Sequence, residues 1–182
     1  MTEEPIAERA AAARRWWRSL QPDRETGQRG DRAALARLRR AGSVLEAAAE
    51  PATADLFGKL MFEHPERNLA RAALIAAVLA HVRRDDGATS VARAIGTPRG
   101  GDDTTARLTP LRFKRLIAAR EPDDLLIGFR RAVAMLGDTA NVKDLARQLL
   151  AWTDERHSDR ARTLFAFDYY GAGQYAPNNS AE

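Results

Sequence analysis

Several residue types and patterns that define other classes of protein are missing from this sequence of 182 residues. It contains no cysteine, which excludes a disulfide framework and a thiolate metal site. The longest apolar run, residues 72–80, is much shorter than the roughly 20 residues that span a bilayer. Alternation of apolar and polar residues is too brief anywhere to predict a half-buried strand. We therefore expect a helical protein with no membrane partner.

The opening residues, MTEEPIAERAAAARRWW, place acids before arginines. A secretory signal peptide has the reverse order, with a basic region before an apolar one. Because the chain also lacks cysteine, we expect it to be soluble and cytoplasmic.

The basic residues are unusual in kind rather than in number. The formal net charge is only +4, yet 26 of the 29 basic residues are arginine and only Lys59, Lys114 and Lys143 are lysine. A genome rich in G and C explains such a bias without any function. Recognition of phosphate also explains it, because a guanidinium group binds phosphate through two parallel hydrogen bonds. Composition alone leaves both explanations open.

Apolar residues recur at intervals of three and four along most of the chain, which predicts helices. Asp31, Ser43, Asn141 and Ser158 stand where helices begin and are expected to cap them. The predicted fold is all-α: an antiparallel bundle of about eight to nine helices in two helical halves, residues 1–96 and 109–170. Residues 97–108 form a flexible connection between the halves, and residues 171–182 a disordered tail.

No group of residues predicts catalysis, a cofactor or a metal site. His64, His81 and His157 lie far apart, and His81 follows a helix whose end favours a positive charge. The pairs Asp85–Asp86, Asp102–Asp103 and Asp123–Asp124 lie in loops or at helix starts, where aspartate accepts hydrogen bonds from backbone N–H groups. The sequence also lacks a phosphate loop and a GxSxG motif. We expect a protein that is not an enzyme.

Two arginine doublets, Arg39–Arg40 and Arg130–Arg131, flank the predicted core positions of separate helices. An exposed helix face normally pairs such residues with acids three or four positions away. Few acids stand at that spacing here, so the doublets indicate either an ordinary solvated face or a continuous basic surface. A surface of that kind would bind a phosphate backbone by charge without reading bases.

An ordered series of short motifs gives the chain a family resemblance over residues from about 14 to about 170. They are WWRSL, DRAALARLRRA, LFGKL, TPLRFKRLIAAREPDDLL, FRRAVAML, VKDLARQLLAW and ARTLFAFDYY. Each motif is weak alone, but their order and spacing are specific. In these motifs the chain resembles the CasB family, the small subunit of the type I-E CRISPR Cascade surveillance complex.

The resemblance implies an all-helical subunit without catalytic activity. In the complex, two copies lie head to tail beside the guide RNA and the target DNA and help to hold the displaced strand. The implied partners are therefore guide RNA, target DNA, the other Cascade subunits and a second copy of the chain. The resemblance does not say which strand each arginine contacts or whether the isolated protein dimerises.

The predicted nucleic-acid-binding residues are basic. The resemblance implies this role for the arginines that match basic positions of the family motifs: Arg39, Arg40, Arg112, Arg120, Arg130 and Arg131. It also implies the role for Arg156, although the loop that contains it, TDERHS, is less basic than in relatives. Helix geometry adds Lys114 and Arg115, which point away from the apolar positions of their helix. Truncating Arg130 and Arg131 together is expected to weaken DNA binding and to change stability by no more than about 1 kcal/mol. The alternative function is a helical protein–protein adaptor whose arginines contact acidic partners.

Overall fold

A computed structural model describes residues 4–23, 25–100 and 103–171. These ranges contain ten helices. In chain order they are α1 (Glu4–Leu20), α2 (Arg32–Arg40), α3 (Val44–Ala48), α4 (Pro51–Leu60), α5 (Pro65–Leu79), α6 (Val91–Gly96), α7 (Pro110–Ala118), α8 (Pro122–Met135), α9 (Val142–Trp152) and α10 (Ser158–Tyr169). The predicted all-α class is confirmed. The described residues contain one helix more than the upper end of the expected eight to nine.

Four short strands accompany the helices, although no alternation predicted them. Strand β1 (Arg84–Asp85) pairs in parallel with β4 (Thr139–Ala140), and β2 (Pro98–Gly100) pairs antiparallel with β3 (Asp103–Ala106). Strands of two to four residues are too short to show a period of two. The β2–β3 pair lies in the predicted connection, residues 97–108. The predicted tail, apart from Gly171, lies outside the described residues.

Residues from both sides of that connection share one hydrophobic cluster. Trp16, Phe129 and Phe165 are its largest fully buried side chains, and they come from α1, α8 and α10. The division into two helical halves stays a prediction. No described helix is both long enough and apolar enough to cross a membrane.

Local side chains cap three helices as the sequence predicts. Asp31, Ser43 and Asn141 accept hydrogen bonds from the backbone N–H of the third residue of α2, α3 and α9. The prediction for Ser158 is wrong. His157 occupies the position before α10, while Ser158 is helical and its Oγ accepts a hydrogen bond from Arg162.

Aspartates from distant elements bind the first N–H group of three other helices. The carboxylate of Asp123 accepts from the backbone N–H of Val44 at 2.7 Å, that of Asp144 from Val91 at 2.8 Å, and that of Asp85 from Val142 at 3.0 Å. A carboxylate here satisfies an unpaired donor and complements the positive end of the helix dipole. The predicted capping role is thus confirmed for Asp85 and Asp123. Asp102 lies outside the described residues.

We expect Phe129→Ala to lower the free energy of unfolding by about 3–5 kcal/mol, because it leaves a cavity in the core. Phe129 is 0% exposed, and its ring centroid lies 5.0 Å from that of Trp152. Urea unfolding followed by circular dichroism measures the loss. The control is Phe167→Ala on α10, which is 59% exposed and is expected to change stability by less than about 0.5 kcal/mol. Equal losses in the two variants would contradict the assignment of Phe129 to the core.

Candidate nucleic-acid interface

The nine predicted basic residues divide into side chains that bind the protein's own backbone and side chains that face solvent. Arg130 on α8 belongs to the first kind. Its guanidinium donates to the carbonyl oxygen of Ala41 at 2.7 Å and to that of Leu38 at 3.1 Å, at the end of α2. Burial lowers the pKa of Arg130. This side chain ties α8 to α2, so we now expect its truncation to cost more stability than the roughly 1 kcal/mol that the sequence indicates.

Arg39 on α2 also binds a helix end. Its Nε donates to the carbonyl oxygen of Ala80 at 2.6 Å, at the end of α5. Burial lowers the pKa of Arg39, and so does the charge of Arg83. Arg39 is partly buried, whereas its neighbour Arg40 is exposed. The two members of each doublet therefore have different surroundings.

His81 lies beside Arg39 and Arg130, whose positive charges disfavour a further positive charge on its imidazole. Burial, together with the charges of Arg130 and Arg39, lowers the pKa of His81 to about 4. The expectation from the sequence that His81 carries a positive charge at this helix end is therefore wrong. The end of α5 receives its positive charge from Arg39 instead.

Two arginines meet at the end of α7. Arg162 is 4% exposed and donates to the carbonyl oxygen of Ile117 at 2.7 Å, while Arg120 donates to the same oxygen at 2.9 Å. The guanidinium carbon of Arg162 lies 4.3 Å from the centroid of the Trp152 ring. Burial lowers the pKa of Arg162 to about 10. Arg120 also forms an exposed ion pair with Asp159 at 3.7 Å.

Three predicted residues come together in one groove between α7 and α8. Arg112 and Arg115 lie one turn apart on α7, and Arg131 lies on α8. All three are exposed, and within the described ranges their side chains form no hydrogen bond or ion pair. The groove has a volume of about 420 Å³. Its guanidinium groups are free to bind an anion supplied from outside.

The walls of this α7–α8 groove are mostly apolar. Leu108, Leu116, Ile127 and Gly128 line it together with Ala118 and Ala119. Ile127 is 50% exposed, while Leu108 and Leu116 are buried in the core. The groove also contains one acid, Asp124, in the first turn of α8. Its charge opposes the binding of an anion.

The remaining predicted residues lie outside this groove. All three are exposed: Lys114 on α7, Arg40 at the end of α2, and Arg156 between α9 and α10. The end of α2 is also where Arg130 binds. Among the described residues, none of these three side chains has a hydrogen-bond or ion-pair partner. Three of the nine predicted residues therefore converge in the α7–α8 groove, and Arg40, Lys114 and Arg156 are exposed cations outside it.

Sequence reasoning missed basic residues that line two other grooves. Arg67 and Arg71 line a groove with Arg120, and Arg15 and Lys59 line one between α1 and α4. Arg71 is already engaged, since it donates to the carbonyl oxygen of Leu150 at 2.6 Å. These residues stand in different motifs, and no local spacing indicated that they would meet. Within the described ranges, no group of three or more His, Asp or Glu residues could hold a metal ion.

Comparison with known protein families identifies a match over most of the chain. A family model described as CRISPR-associated protein Cse2 matches residues 34–170, a span that contains all nine predicted basic residues. No curated protein and no solved structure matches the chain.

Neighbouring arginines on α8 should differ in their effect on stability. We expect Arg130→Ala to lower the free energy of unfolding by about 1.5–3 kcal/mol, since it removes charge-assisted hydrogen bonds to two carbonyl groups. Arg131→Ala is expected to change it by less than about 0.5 kcal/mol, as for an exposed position. Urea unfolding of both variants gives the comparison. Arg130→Lys keeps the charge without the planar fork and should fall between them; equal stability of all three would refute the tie between α8 and α2.

The lowered pKa of His81 predicts a loss of stability in mild acid. As the pH falls below about 6.5, the unfolded chain takes up a proton at this imidazole, whereas the folded chain does so only near pH 4. The contribution of His81 is thus fully present above pH 6.5 and is lost progressively towards pH 4. Unfolding free energies of the wild type and of His81→Gln, measured from pH 7.5 to 4.5, should diverge, with the wild type falling more steeply. Parallel curves would contradict a buried neutral His81.

Proposed function

The chain belongs to the Cse2 family of CRISPR-associated proteins, and on that premise we propose that it is the non-catalytic small subunit of a type I-E Cascade surveillance complex. In this proposal it binds the nucleic-acid backbone of the displaced strand and of the guide–target region, and so stabilises the R-loop during antiviral defence in the cytoplasm. Its partners are guide RNA, target DNA, the other Cascade subunits and a second copy of itself.

The observation that carries the proposal is the convergence of Arg112, Arg115 and Arg131 in the α7–α8 groove. Ordinary surface arginines pair with acids or scatter, whereas these three face one space from two helices. Because the helices beneath them are packed on the core, the backbone positions of these three residues are fixed before a ligand arrives. Such an arrangement suits contact with successive phosphates and carries no means of reading base sequence.

The other predicted residues extend the surface in two ways. Arg40, Lys114 and Arg156 are exposed cations that add to the positive charge of the surface. Arg39, Arg120 and Arg130 bind backbone carbonyl groups, so they contribute positive potential and hold α2, α5, α7 and α8 in position. Long-range attraction of a polyanion depends on all of these charges.

The proposal includes no catalytic step. A nuclease of this composition would need carboxylates or histidines that converge on one space. Two of the aspartates that could serve, Asp85 and Asp123, instead accept hydrogen bonds from helix N–H groups. Binding rather than reaction is therefore the activity that this surface supports.

A second role as a protein–protein adaptor has support from one face of α10. Leu164 and Phe167 lie three residues apart on this helix and are 55% and 59% exposed. Contiguous apolar side chains on a surface favour contact with another protein. This face fits a contact with another Cascade subunit or a second copy, so the two roles are compatible.

We expect the full chain to bind single-stranded DNA with an affinity that falls on the order of tenfold or more between low and physiological salt. The combined variant Arg112→Ala, Arg115→Ala and Arg131→Ala should flatten the plot of log affinity against log salt by about two units, because each lost contact with a single strand accounts for about 0.7. Fluorescence anisotropy over a series of salt concentrations measures the slope.

A matched control separates local contacts from net charge. The variant Arg15→Ala, Arg29→Ala and Arg32→Ala removes three exposed arginines elsewhere and should leave most of the slope intact. Asp124→Asn removes the one acid of the groove and should strengthen binding. Binding that ignores salt, or an equal loss of slope in both triple variants, would refute the assignment of the interface to this groove.

A further inference from the structure

The apolar walls of the α7–α8 groove are not explained by contact with phosphate alone. We propose that the groove is a subsite for one nucleotide of a single strand, with the phosphate held by the guanidinium groups and the unstacked base lying against Ile127 and the neighbouring apolar wall. This inference rests on the proposed function, because it assigns a ligand to the same surface.

The first support is the composition of the groove. Arg112, Arg115 and Arg131 lie around a space whose other lining residues are almost all apolar, with Asp124 as the exception. A nucleotide has the same two-part chemistry, an anionic phosphate joined to a flat base with apolar faces. Guanidinium groups can also stack on a base, so the arginines offer a second surface to it.

The second support is the exposure of Ile127. It lines the groove and is 50% exposed. An exposed aliphatic side chain beside three unpaired cations contributes nothing to the binding of a free phosphate, which keeps its water. A base placed against Ile127 would remove apolar surface from water on both partners.

The floor of the groove permits close approach. Gly128 lies on the same face of α8 as Ile127 and Arg131, and a Cβ atom added there would meet Leu116 Cδ1 at 2.7 Å. The absence of a side chain at this position lets α7 and α8 pack closely while the space above stays open. The groove is therefore a concave surface rather than a flat array of charges.

The subsite predicts a preference for single strands. In a duplex the two faces of each base are covered by its neighbours, and exposing one of them requires unstacking and unpairing. In a single strand a base is available at little cost. A surface that used only phosphate contacts would favour the duplex, which has the higher charge density.

The experiment compares a single-stranded oligonucleotide with an abasic oligonucleotide of equal length and equal phosphate number. For the full-length wild type, we expect the oligonucleotide with bases to bind about threefold to tenfold more tightly at one salt concentration. Ile127→Ala should abolish most of that difference, weakening binding to the oligonucleotide with bases and leaving the abasic affinity and the salt slope unchanged. Leu69→Ala is the control, since Leu69 is 55% exposed on α5 and should change neither affinity.

The outcomes distinguish the subsite from the proposed function. Equal affinity for the two oligonucleotides, with a steep salt slope for both, would overturn the subsite and leave backbone binding in place. A loss of affinity for both oligonucleotides in Ile127→Ala, together with a lowered melting temperature, would show that Ile127 only supports the fold and would also overturn it. Binding of neither oligonucleotide would contradict the proposed function itself.

Discussion

The fold depends on guanidinium groups that bind the carbonyl ends of helices. The last carbonyl groups of a helix have no partner within it, and five helices in the described part of the chain receive an arginine from another element at this end. Arg9 binds the end of α4, Arg39 that of α5, Arg71 that of α9 and Arg130 that of α2, while Arg120 and Arg162 share that of α7. A planar group with several donors suits this task, and its charge complements the negative end of the helix dipole. In α2, α5 and α7 the residue after the helix is an alanine, Ala41, Ala80 or Ala119, rather than a glycine. The arginines thus bind these helix ends and fix the helices against one another.

Arginines that bind helix ends and arginines that are available to a ligand are different residues in this protein. A guanidinium whose donors are bound to carbonyl oxygens has fewer N–H groups available for a ligand but keeps its charge. It can therefore attract a polyanion at long range without forming direct hydrogen bonds to it. Three of the arginines with free donors, Arg112, Arg115 and Arg131, lie on α7 and α8 and line one groove. The high ratio of arginine to lysine therefore has a structural cause in addition to any bias of the genome. It follows that the arginine content of such a helical protein overstates the size of its binding surface.

The parts of the structure that depend on neighbours in sequence could be predicted. The all-α class followed from periodicity, and the caps at Asp31, Ser43 and Asn141 followed from residue type and position. The difference between Arg130 and Arg131 could not be predicted, because it depends on carbonyl groups 89 and 92 positions away. The lowered pKa of His81 has the same origin, since its surroundings come from α2 and α8. The sequence indicates the basic motif of α7 and the arginine doublet of α8. The apolar groove between them could not be predicted, because it depends on how the two helices pack.

The reciprocal arrangement at the other helix ends has a consequence for how the chain acquires its structure. Asp85, Asp123 and Asp144 bind the starts of α9, α3 and α6 across 57, 79 and 53 positions of sequence. Helices of five and six residues are not stable alone, so α3 and α6 depend on tertiary contacts, among them these distant carboxylates. Helical proteins usually fold fast because their contacts are local, whereas contacts of high sequence separation slow the search. This chain combines helical structure with long-range closure, so we expect its short helices to form late in folding.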